Sequence, residues 1–295
     1  MKITVAEESG FCFGVKLAVD SANLALQDNQ TVYCLGQLIH NNSVTDDLQE
    51  RGLVVVNDIN QVPDNAKVIF RSHGVAKSVY EIAKSKNLEV IDSTCPFVSK
   101  IHRIVQEHYL KGFKIIIVGK RSHPEVIGIN GWCQNSATIV ESEEELTPLD
   151  LTCQYCVVTQ TTNNQELWKK IIKKIEENKS ITFDFFDTIC YTTNIRQSEA
   201  KVVSLDSDIM LVLGNKQSAN TNKLLGICKT NCVNSFLVSS LLDLQGIDER
   251  LFAGNPSVGI TAGASTPYEF VQQVVDYLQQ RFDINPELDK VSGFV

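Results

Sequence analysis

Three of the nine cysteines lie in short polar segments just before predicted helices. They are Cys12, Cys95 and Cys190, which lie far apart in the sequence. The N-terminus of a helix favours the thiolate over the thiol, and the thiolate is the form that binds metal. The alternative is that each cysteine is a small buried apolar residue. The positions indicate a metal site where three distant segments meet, with packing as the competing interpretation.

The other six cysteines fit packing better. Cys34 lies in a predicted strand, and Cys228 and Cys232 lie on a helical stretch. Cys153 and Cys156 form a C-x-x-C pair, a spacing that also serves zinc or redox sites. Because this pair runs into an apolar strand, we favour packing there too.

Histidines mark other junctions between predicted strands and helices. His40, His73 and His123 each follow a strand and precede a helix. Helix N-termini flanked by such groups form anion sites, although a solvated loop histidine is the alternative. His102 and His108 lie inside a charged helix, where a surface face explains them.

Hydroxyl and amide side chains cluster at three further junctions, residues 159–163, 218–222 and 262–267. Each would place small polar groups at the carboxyl ends of strands, where open α/β sheets bind ligands. Ordinary helix capping explains any one of them. Together with the three histidines they indicate a neutral-to-positive pocket rich in hydrogen-bond donors, as a diphosphate requires.

Composition narrows the class of protein. The chain has 295 residues, 43% of them hydrophobic, which suits two or three α/β units. A net charge of −8 argues against nucleic-acid binding. No apolar run is long enough to cross a bilayer, and Met1–Gly10 lacks the apolar stretch of a signal peptide. We therefore expect a cytoplasmic protein whose cysteines are thiols or ligands rather than disulfides.

Short apolar runs alternate with amphipathic stretches, which predicts right-handed βαβ units with parallel sheets. The predicted strands are Thr31–Leu35, Val54–Val56, Lys67–Phe70, Val90–Asp92, Lys114–Val118, Ala137–Val140, Tyr155–Thr159, Ile181–Phe185, Ile209–Leu213, Ser235–Val238 and Ser257–Thr261. A weak internal echo links residues 70–75 with 120–126, each at the end of a strand.

Nine short motifs follow one another along the chain: Gly10–Val15, His40–Asn41, Ser72–Val75, Asp92–Pro96, His123–Glu125, Thr159–Thr162, Ile189–Tyr191, Ser218–Asn220 and Thr261–Ser265. In this order they resemble one known family, the 4-hydroxy-3-methylbut-2-enyl diphosphate reductases (LytB/IspH). The likeness runs from about Gly10 to beyond Ser265.

The resemblance implies an α/β fold of three pseudo-symmetric units with mostly parallel sheets, arranged as a trefoil around a central iron–sulfur cluster. The implied units are residues 13–95, 96–189 and 190–282. Residues 1–12 would pack on the third unit, and residues 283–295 would form a short tail.

The resemblance also implies the site. Cys12, Cys95 and Cys190 would hold a 4Fe–4S cluster with one open iron. The implied substrate-binding residues are His40, His73, His123, Ser218, Ala219, Asn220 and Ser265. Some relatives carry a second serine at the position of Ala219, which puts one hydrogen bond in doubt. Glu125 would supply protons through Thr161 or Thr162, although a surface acid at a helix start is the alternative for Glu125.

The implied reaction is reductive dehydroxylation of (E)-4-hydroxy-3-methylbut-2-enyl diphosphate to isopentenyl and dimethylallyl diphosphate, the last step of the non-mevalonate route to isoprenoids. The absence of a nucleotide-binding fingerprint agrees with a protein electron donor, ferredoxin or flavodoxin. Two other functions stay open. One is an iron–sulfur hydro-lyase, which consumes no electrons, and the other is a non-enzymatic redox sensor built on a cluster.

Overall fold

The structure of the chain, a computed structural model, describes residues 1–28, 30–146, 150, 152–177, 181–254, 256–282 and 288–291. The strands are β1 Lys2–Ala6, β2 Val32–Leu35, β3 Leu53–Val56, β4 Lys67–Phe70, β5 Glu89–Asp92, β6 Lys114–Val118, β7 Thr138–Val140, β8 Gln154–Thr159, β9 Thr182–Phe186, β10 Ile209–Leu213, β11 Ser235–Val238, β12 Ser257–Ala262 and β13 Leu288–Val291. The α-helices are α1 Phe13–Ala25, α2 Asn42–Glu50, α3 Lys77–Ser85, α4 Pro96–Leu110, α5 Pro124–Asn130, α6 Gln165–Glu176, α7 Tyr191–Leu205, α8 Ala219–Asn231, α9 Leu241–Gln245 and α10 Tyr268–Phe282. Short 3-10 helices occur at Ile59–Gln61, Gly131–Cys133, Glu143–Glu145 and Glu249–Phe252.

The strands form three sheets, and every neighbouring pair in them is parallel. The orders are β3-β2-β4-β5, β7-β6-β8-β9 and β11-β10-β12-β1-β13. In both four-stranded sheets the first strand along the chain lies between the second and the third, and a fourth strand flanks the third. In the five-stranded sheet, β10, β11 and β12 repeat the order of the first three strands. The predicted α/β class with parallel sheets and pseudo-symmetric units is therefore confirmed, and β1 takes the fourth place in the last sheet.

Both faces of the central strands are buried, which explains their nearly continuous apolar character. Along β10, Leu211 and its alternate neighbours pack in one apolar cluster, whereas Met210 and Val212 pack in another. Strand β8 repeats this arrangement in its own sheet, with Val157 on one face and Val158 on the other.

The chain divides into two compact units. One comprises Met1–Phe13, His40–Asn42 and Tyr191–Val295, and it contains the five-stranded sheet. The other comprises Gly14–Ile39 and Ser43–Cys190, and it contains both four-stranded sheets. The three boundaries expected from the resemblance, residues 13–95, 96–189 and 190–282, stay predictions.

Two features of the fold differ from the expectations. Within the expected tail, residues 288–291 form β13 and pair with β1, whereas residues 283–287 and 292–295 lie outside the described part. His102 and His108 are buried rather than on a surface face, because the apolar stripe of α4 continues through both positions.

His102 stacks on Trp132 with ring centroids 5.0 Å apart, and burial lowers the pKa of His102 to about 4.

Within the described residues, no helix is both long and apolar enough to span a membrane.

Candidate active site

The three singled-out cysteines occupy equivalent positions in their sheets. Each lies in the loop after a fourth-place strand and directly before a helix: Cys12 follows β1, Cys95 follows β5 and Cys190 follows β9. All three are half-buried. Pseudo-symmetry therefore presents one thiol at the same end of each sheet.

Backbone contacts fix each cysteine loop within its own compact unit. The Cys95 N–H donates to Ser72 O and the Cys190 N–H to Thr161 O, both at 3.0 Å. The Cys12 N–H donates to Ala264 O, also at 3.0 Å.

Gly14, in the first turn of α1, leaves room for the Cys95 thiol. A Cβ atom on Gly14 would lie only 2.7 Å from the Cys95 Sγ. That is closer than van der Waals contact allows, so the space beside this sulfur depends on glycine.

Most of the other cysteines are unsuited to binding metal. Burial raises the pKa of Cys34, Cys156 and Cys228 to about 12, which keeps these thiols protonated. Cys153 and Cys156 pack in different apolar clusters on the two faces of their sheet, so they cannot share an ion. The preference for packing at this C-x-x-C pair is confirmed.

Glu125 lies in the first turn of α5 and is only 2% exposed. Its carboxylate accepts the Thr161 N–H at 2.6 Å on Oε1 and the Thr161 Oγ1–H at 2.7 Å on Oε2. Burial raises the pKa of Glu125 to about 7, against the opposing effect of these hydrogen bonds. The surface-acid alternative is therefore wrong.

Thr161 and Thr162 have different partners. Thr161 contacts Glu125, whereas the Thr162 Oγ1 accepts a hydrogen bond from Gln160 Nε2 at 2.9 Å. Of the two threonines that the sequence offers as a proton relay, Thr161 is the one that contacts the Glu125 carboxylate.

His73 and His123 lie together in the larger unit, with ring centroids 5.4 Å apart at an interplanar angle of 76°. His123 caps α5, because its Nδ1 accepts the Glu125 N–H at 3.2 Å. The loop after His73 rests on the far end of α5, where Trp132 Nε1 donates to Val75 O at 3.0 Å.

The smaller unit holds the remaining substrate-binding candidates. Ser218 caps α8 by accepting the Thr221 N–H at 3.3 Å, and Ala219 is the first residue of that helix. Asn220 is 4% exposed, and neither its Oδ1 nor its Nδ2 has a hydrogen-bond partner among the described residues. A buried orphaned amide at a helix start is suited to receive a polar ligand.

His40 and Ser265 are joined by hydrogen bonds in the same unit. Ser265 Oγ donates to His40 O at 3.1 Å, and Asn41 Nδ2 donates to Ser265 O at 2.9 Å. The motifs in the sequence predict no role for the side chain of Asn41, nor for Arg196, which is buried in this unit. A lone arginine in an amphipathic helix carries no sequence signal that distinguishes it from a surface residue.

Comparison with known proteins agrees with this geometry. Residues 3–279 match the model of the family described as LytB protein. The chain is 42% identical over 283 residues to the 4-hydroxy-3-methylbut-2-enyl diphosphate reductase of Clostridioides difficile (strain 630), covering 95% of this chain and 99% of the relative. It is 43% identical over 279 residues to the reductase of the same name from Thermoanaerobacter sp. (strain X514), covering 93% and 96%.

Two solved structures are also similar. The E-1-hydroxy-2-methyl-but-2-enyl-4-diphosphate reductase from Plasmodium falciparum aligns with a TM-score of 0.91 at 28% identity, covering 100% of this chain and 93% of that one. A structure of (E)-4-hydroxy-3-methyl-but-2-enyl diphosphate reductase, described as the terminal enzyme of the non-mevalonate pathway, aligns with a TM-score of 0.70 at 34% identity, covering 95% and 100%. The chain therefore belongs to the LytB family, as its ordered motifs predicted.

Proposed function

We propose that this chain reduces (E)-4-hydroxy-3-methylbut-2-enyl diphosphate to isopentenyl and dimethylallyl diphosphate, the last step of the non-mevalonate route. Full-length similarity to reductases named for this substrate supports the reaction. One geometric observation carries the chemistry: a buried carboxyl group, Glu125, whose pKa is raised to about 7 beside the Thr161 hydroxyl. Loss of a hydroxyl group as water requires such an acid.

We propose Cys12, Cys95 and Cys190 as the ligands of a 4Fe–4S cluster. Their half-exposed thiols before helix starts, and the space that Gly14 leaves beside the Cys95 sulfur, fit such a group. When bound, the cluster would pass electrons singly and its open iron would act as a Lewis acid on the substrate hydroxyl.

The diphosphate would bind to Ser218, Asn220 and Ser265, with His40, His73 and His123 as further donors. The orphaned amide of Asn220 supports this role, because a phosphate oxygen would satisfy its Nδ2. Ala219 would contribute its backbone N–H at the start of α8. Charged hydrogen bonds of this kind hold the diphosphate without consuming it.

Glu125 would deliver a proton to the leaving hydroxyl through Thr161. Two electrons and two protons enter per turnover, the C–O bond breaks, and one water molecule leaves. Thr162 would line the same segment without contacting the carboxylate, since its hydroxyl accepts from Gln160.

The electrons would come from ferredoxin or flavodoxin, and we propose that the chain works in the cytoplasm. The test begins with anaerobic purification followed by iron and sulfide analysis. A one-electron donor is then supplied, and both the diphosphate products and the consumed electrons are measured.

Consumption of two electrons per product would support the reductase. Dehydration without electron consumption would indicate a hydro-lyase, and substrate binding without turnover would indicate a sensor. In the same assay, Cys12→Ser, Cys95→Ser or Cys190→Ser should lose iron sharply. Cys153→Ser is the matched control and should keep it. Zinc without iron in the wild-type protein would contradict the cluster proposal.

A further inference from the structure

Arg196 is a buried arginine in the smaller compact unit. It is 2% exposed and lies on α7, the helix that begins directly after Cys190 in the chain. Removing a guanidinium group from water is costly unless its N–H groups are hydrogen-bonded. An arginine in such a place therefore has directed contacts that an apolar residue of the same size could not supply.

The guanidinium contacts two segments that are far apart in the sequence, the last residue of β12 and the loop after β1. Nη1 donates to Ala262 O at 3.0 Å, and Nη2 donates to Gly10 O at 2.9 Å. Nη2 also lies 3.9 Å from the Glu8 carboxylate. The planar fork of arginine suits this geometry, because its two Nη atoms reach two different acceptors at once.

A second residue of α7 supports the same N-terminal loop. Glu199 is buried, and its Oε2 accepts the Glu8 N–H at 2.9 Å. Gly10 itself has a φ of +119°, a conformation that side-chain-bearing residues rarely adopt. Two residues of α7, Arg196 and Glu199, therefore hold the backbone of this N-terminal loop in one conformation.

Both contacted segments continue into loops that carry residues of the proposed site. Gly10 lies two positions before Cys12, and Ala262 lies three positions before Ser265. The two loops also bond to each other, through the Cys12 N–H and Ala264 O at 3.0 Å. Ser265 in turn donates to His40 O.

We propose that Arg196 is a positioning residue that sets the placement of Cys12 and Ser265 together. One guanidinium group thereby fixes a thiolate of the cluster and a hydroxyl of the diphosphate site. This inference rests on the proposed function, in which Cys12 is a ligand and Ser265 contacts diphosphate.

The test compares Arg196→Gln and Arg196→Lys with Val203→Ala in the anaerobically purified protein. Val203 is a matched control, because it is buried on the same helix and its side chain packs in an apolar cluster. Three quantities are measured: the melting temperature, the rate at which a chelator removes iron, and the dissociation constant for inorganic diphosphate.

We expect Arg196→Gln to lose iron faster and to bind diphosphate roughly tenfold more weakly, as expected when a charged hydrogen-bond network is lost. Arg196→Lys should fall between the wild type and Arg196→Gln, since it keeps the charge but cannot reach both carbonyl groups. Val203→Ala should lower the melting temperature and leave iron release and diphosphate binding unchanged.

Wild-type iron release and diphosphate affinity in Arg196→Gln would overturn the inference. So would equal losses in Val203→Ala, or the failure of both arginine variants to fold, because either result would make Arg196 an ordinary core residue. Failure of the proposed function has a different signature, in which the wild-type protein itself lacks iron or turnover.

Discussion

Glu125 lies in an environment that suits a proton donor at neutral pH. Burial favours the neutral carboxylic acid, and the two hydrogen bonds from Thr161 favour the carboxylate. Burial has the larger effect, and the resulting pKa of about 7 leaves both forms populated near neutrality. A group poised in this way can give up a proton and take it back.

The first prediction concerns turnover. Glu125→Gln keeps the size of the side chain and one oxygen that can accept the Thr161 N–H, and its amide NH2 can donate to the Thr161 hydroxyl, but it cannot deliver a proton. We expect the variant to retain iron and to bind substrate normally, while turnover falls by roughly 10²–10⁴-fold, the usual worth of a general acid. Steady-state turnover with a saturating one-electron donor measures this. Near wild-type turnover would remove Glu125 from the mechanism.

The second prediction concerns stability, and its sign follows from the raised pKa. Between the ordinary pKa of 4.5 and about 7, the folded protein holds the Glu125 proton more tightly than the unfolded chain does. Folding stability contributed by this group therefore falls as pH rises through that window, by roughly 3 kcal/mol in total. Glu125→Gln carries no titratable group at this position, so its folding stability should not fall in this way over the same pH range.

The measurement is the melting temperature of both proteins from pH 4.5 to 7.5, a range of about three pH units that brackets the titration. The wild type should lose stability relative to Glu125→Gln as pH rises. A constant difference between the two would show that Glu125 does not titrate in this window.

The third prediction separates binding from folding at Asn220. Its amide is buried without a partner in the described structure, so it costs folding free energy, typically about 1–3 kcal/mol for such a group. Asn220→Ala should therefore leave the melting temperature unchanged or raise it, while diphosphate affinity falls. Thermal melts and calorimetric titration with inorganic diphosphate give the two readouts.

Ser240→Ala is the control for Asn220→Ala. It removes the cap that accepts the Asp243 N–H at the start of α9, so it should lower stability by about 1 kcal/mol and leave diphosphate affinity unchanged. A stability loss in Asn220→Ala with unchanged diphosphate affinity would contradict the binding role.

At the level of elements, the loops between strands and helices carry almost every residue of interest. Parallel strands end at one edge of a sheet, so each loop delivers its side chains to the same edge. Helix α5 shows how one element serves two parts of the site. Its first turn carries Glu125, and the 3-10 turn after its end carries Trp132, whose indole holds the loop after His73.

The fourth prediction concerns the start of α1. Alanine is a better helix former than glycine by roughly 0.5–1 kcal/mol, so Gly14→Ala should not impair the helix itself. Its Cβ would nevertheless meet the Cys95 Sγ at 2.7 Å. We therefore expect a folded protein with sharply reduced iron content, measured by iron and sulfide analysis after anaerobic purification.

Gly226→Ala provides the matched control. Gly226 lies within α8, and a Cβ atom there would meet nothing within 4 Å. This variant should keep its iron and gain stability. Full iron content in Gly14→Ala would mean that the Cys95 sulfur needs no such space.

Hydrophobic patterning predicted eleven strands, and all eleven are present. The prediction succeeds because strands that are covered on both faces have nearly continuous apolar sequences. The strands that it missed lie at the two ends of the chain. Leu288–Val291 carries two charged residues among four, so only its pairing with β1 identifies it as a strand. Lys2–Ala6 mixes polar and apolar residues and is followed by two acidic residues, so it lacks the continuous apolar run that marks the other strands.

At the scale of the whole molecule, pseudo-symmetry is visible in strand order but hidden in the sequence. The echo between residues 70–75 and 120–126 joins non-equivalent places, because His73 follows the third strand of its sheet and His123 follows the first strand of another. The equivalent positions instead carry different chemistry. After third strands stand His73, Thr161 and Ser265, and only topology relates them.

Contacts between residues far apart in the sequence explain why the surroundings of some residues could not be predicted. His102 looked like a surface residue because its helix is charged, but it stacks on Trp132, which follows a different helix. Arg196 contacts carbonyl groups near Cys12 and Ser265, and backbone carbonyls leave no mark in a sequence. Ordered motifs predicted the family and the candidate ligands, whereas these supporting contacts required coordinates.

The place of β1 in the last sheet has a consequence for biosynthesis. Lys2 pairs with Ser257, and Val5 pairs with Ile260. Strand β1 is synthesised early and therefore cannot pair until β12 has been synthesised. Domains tend to fold from the N-terminal side during synthesis, and pairings between distant segments form slowly. The loop that carries Cys12 is bonded to Ala264 and cannot take its final shape before that residue has been made. Loading of iron and sulfide should therefore follow the synthesis of residue 264, and a nascent chain stalled before residue 257 should hold no cluster.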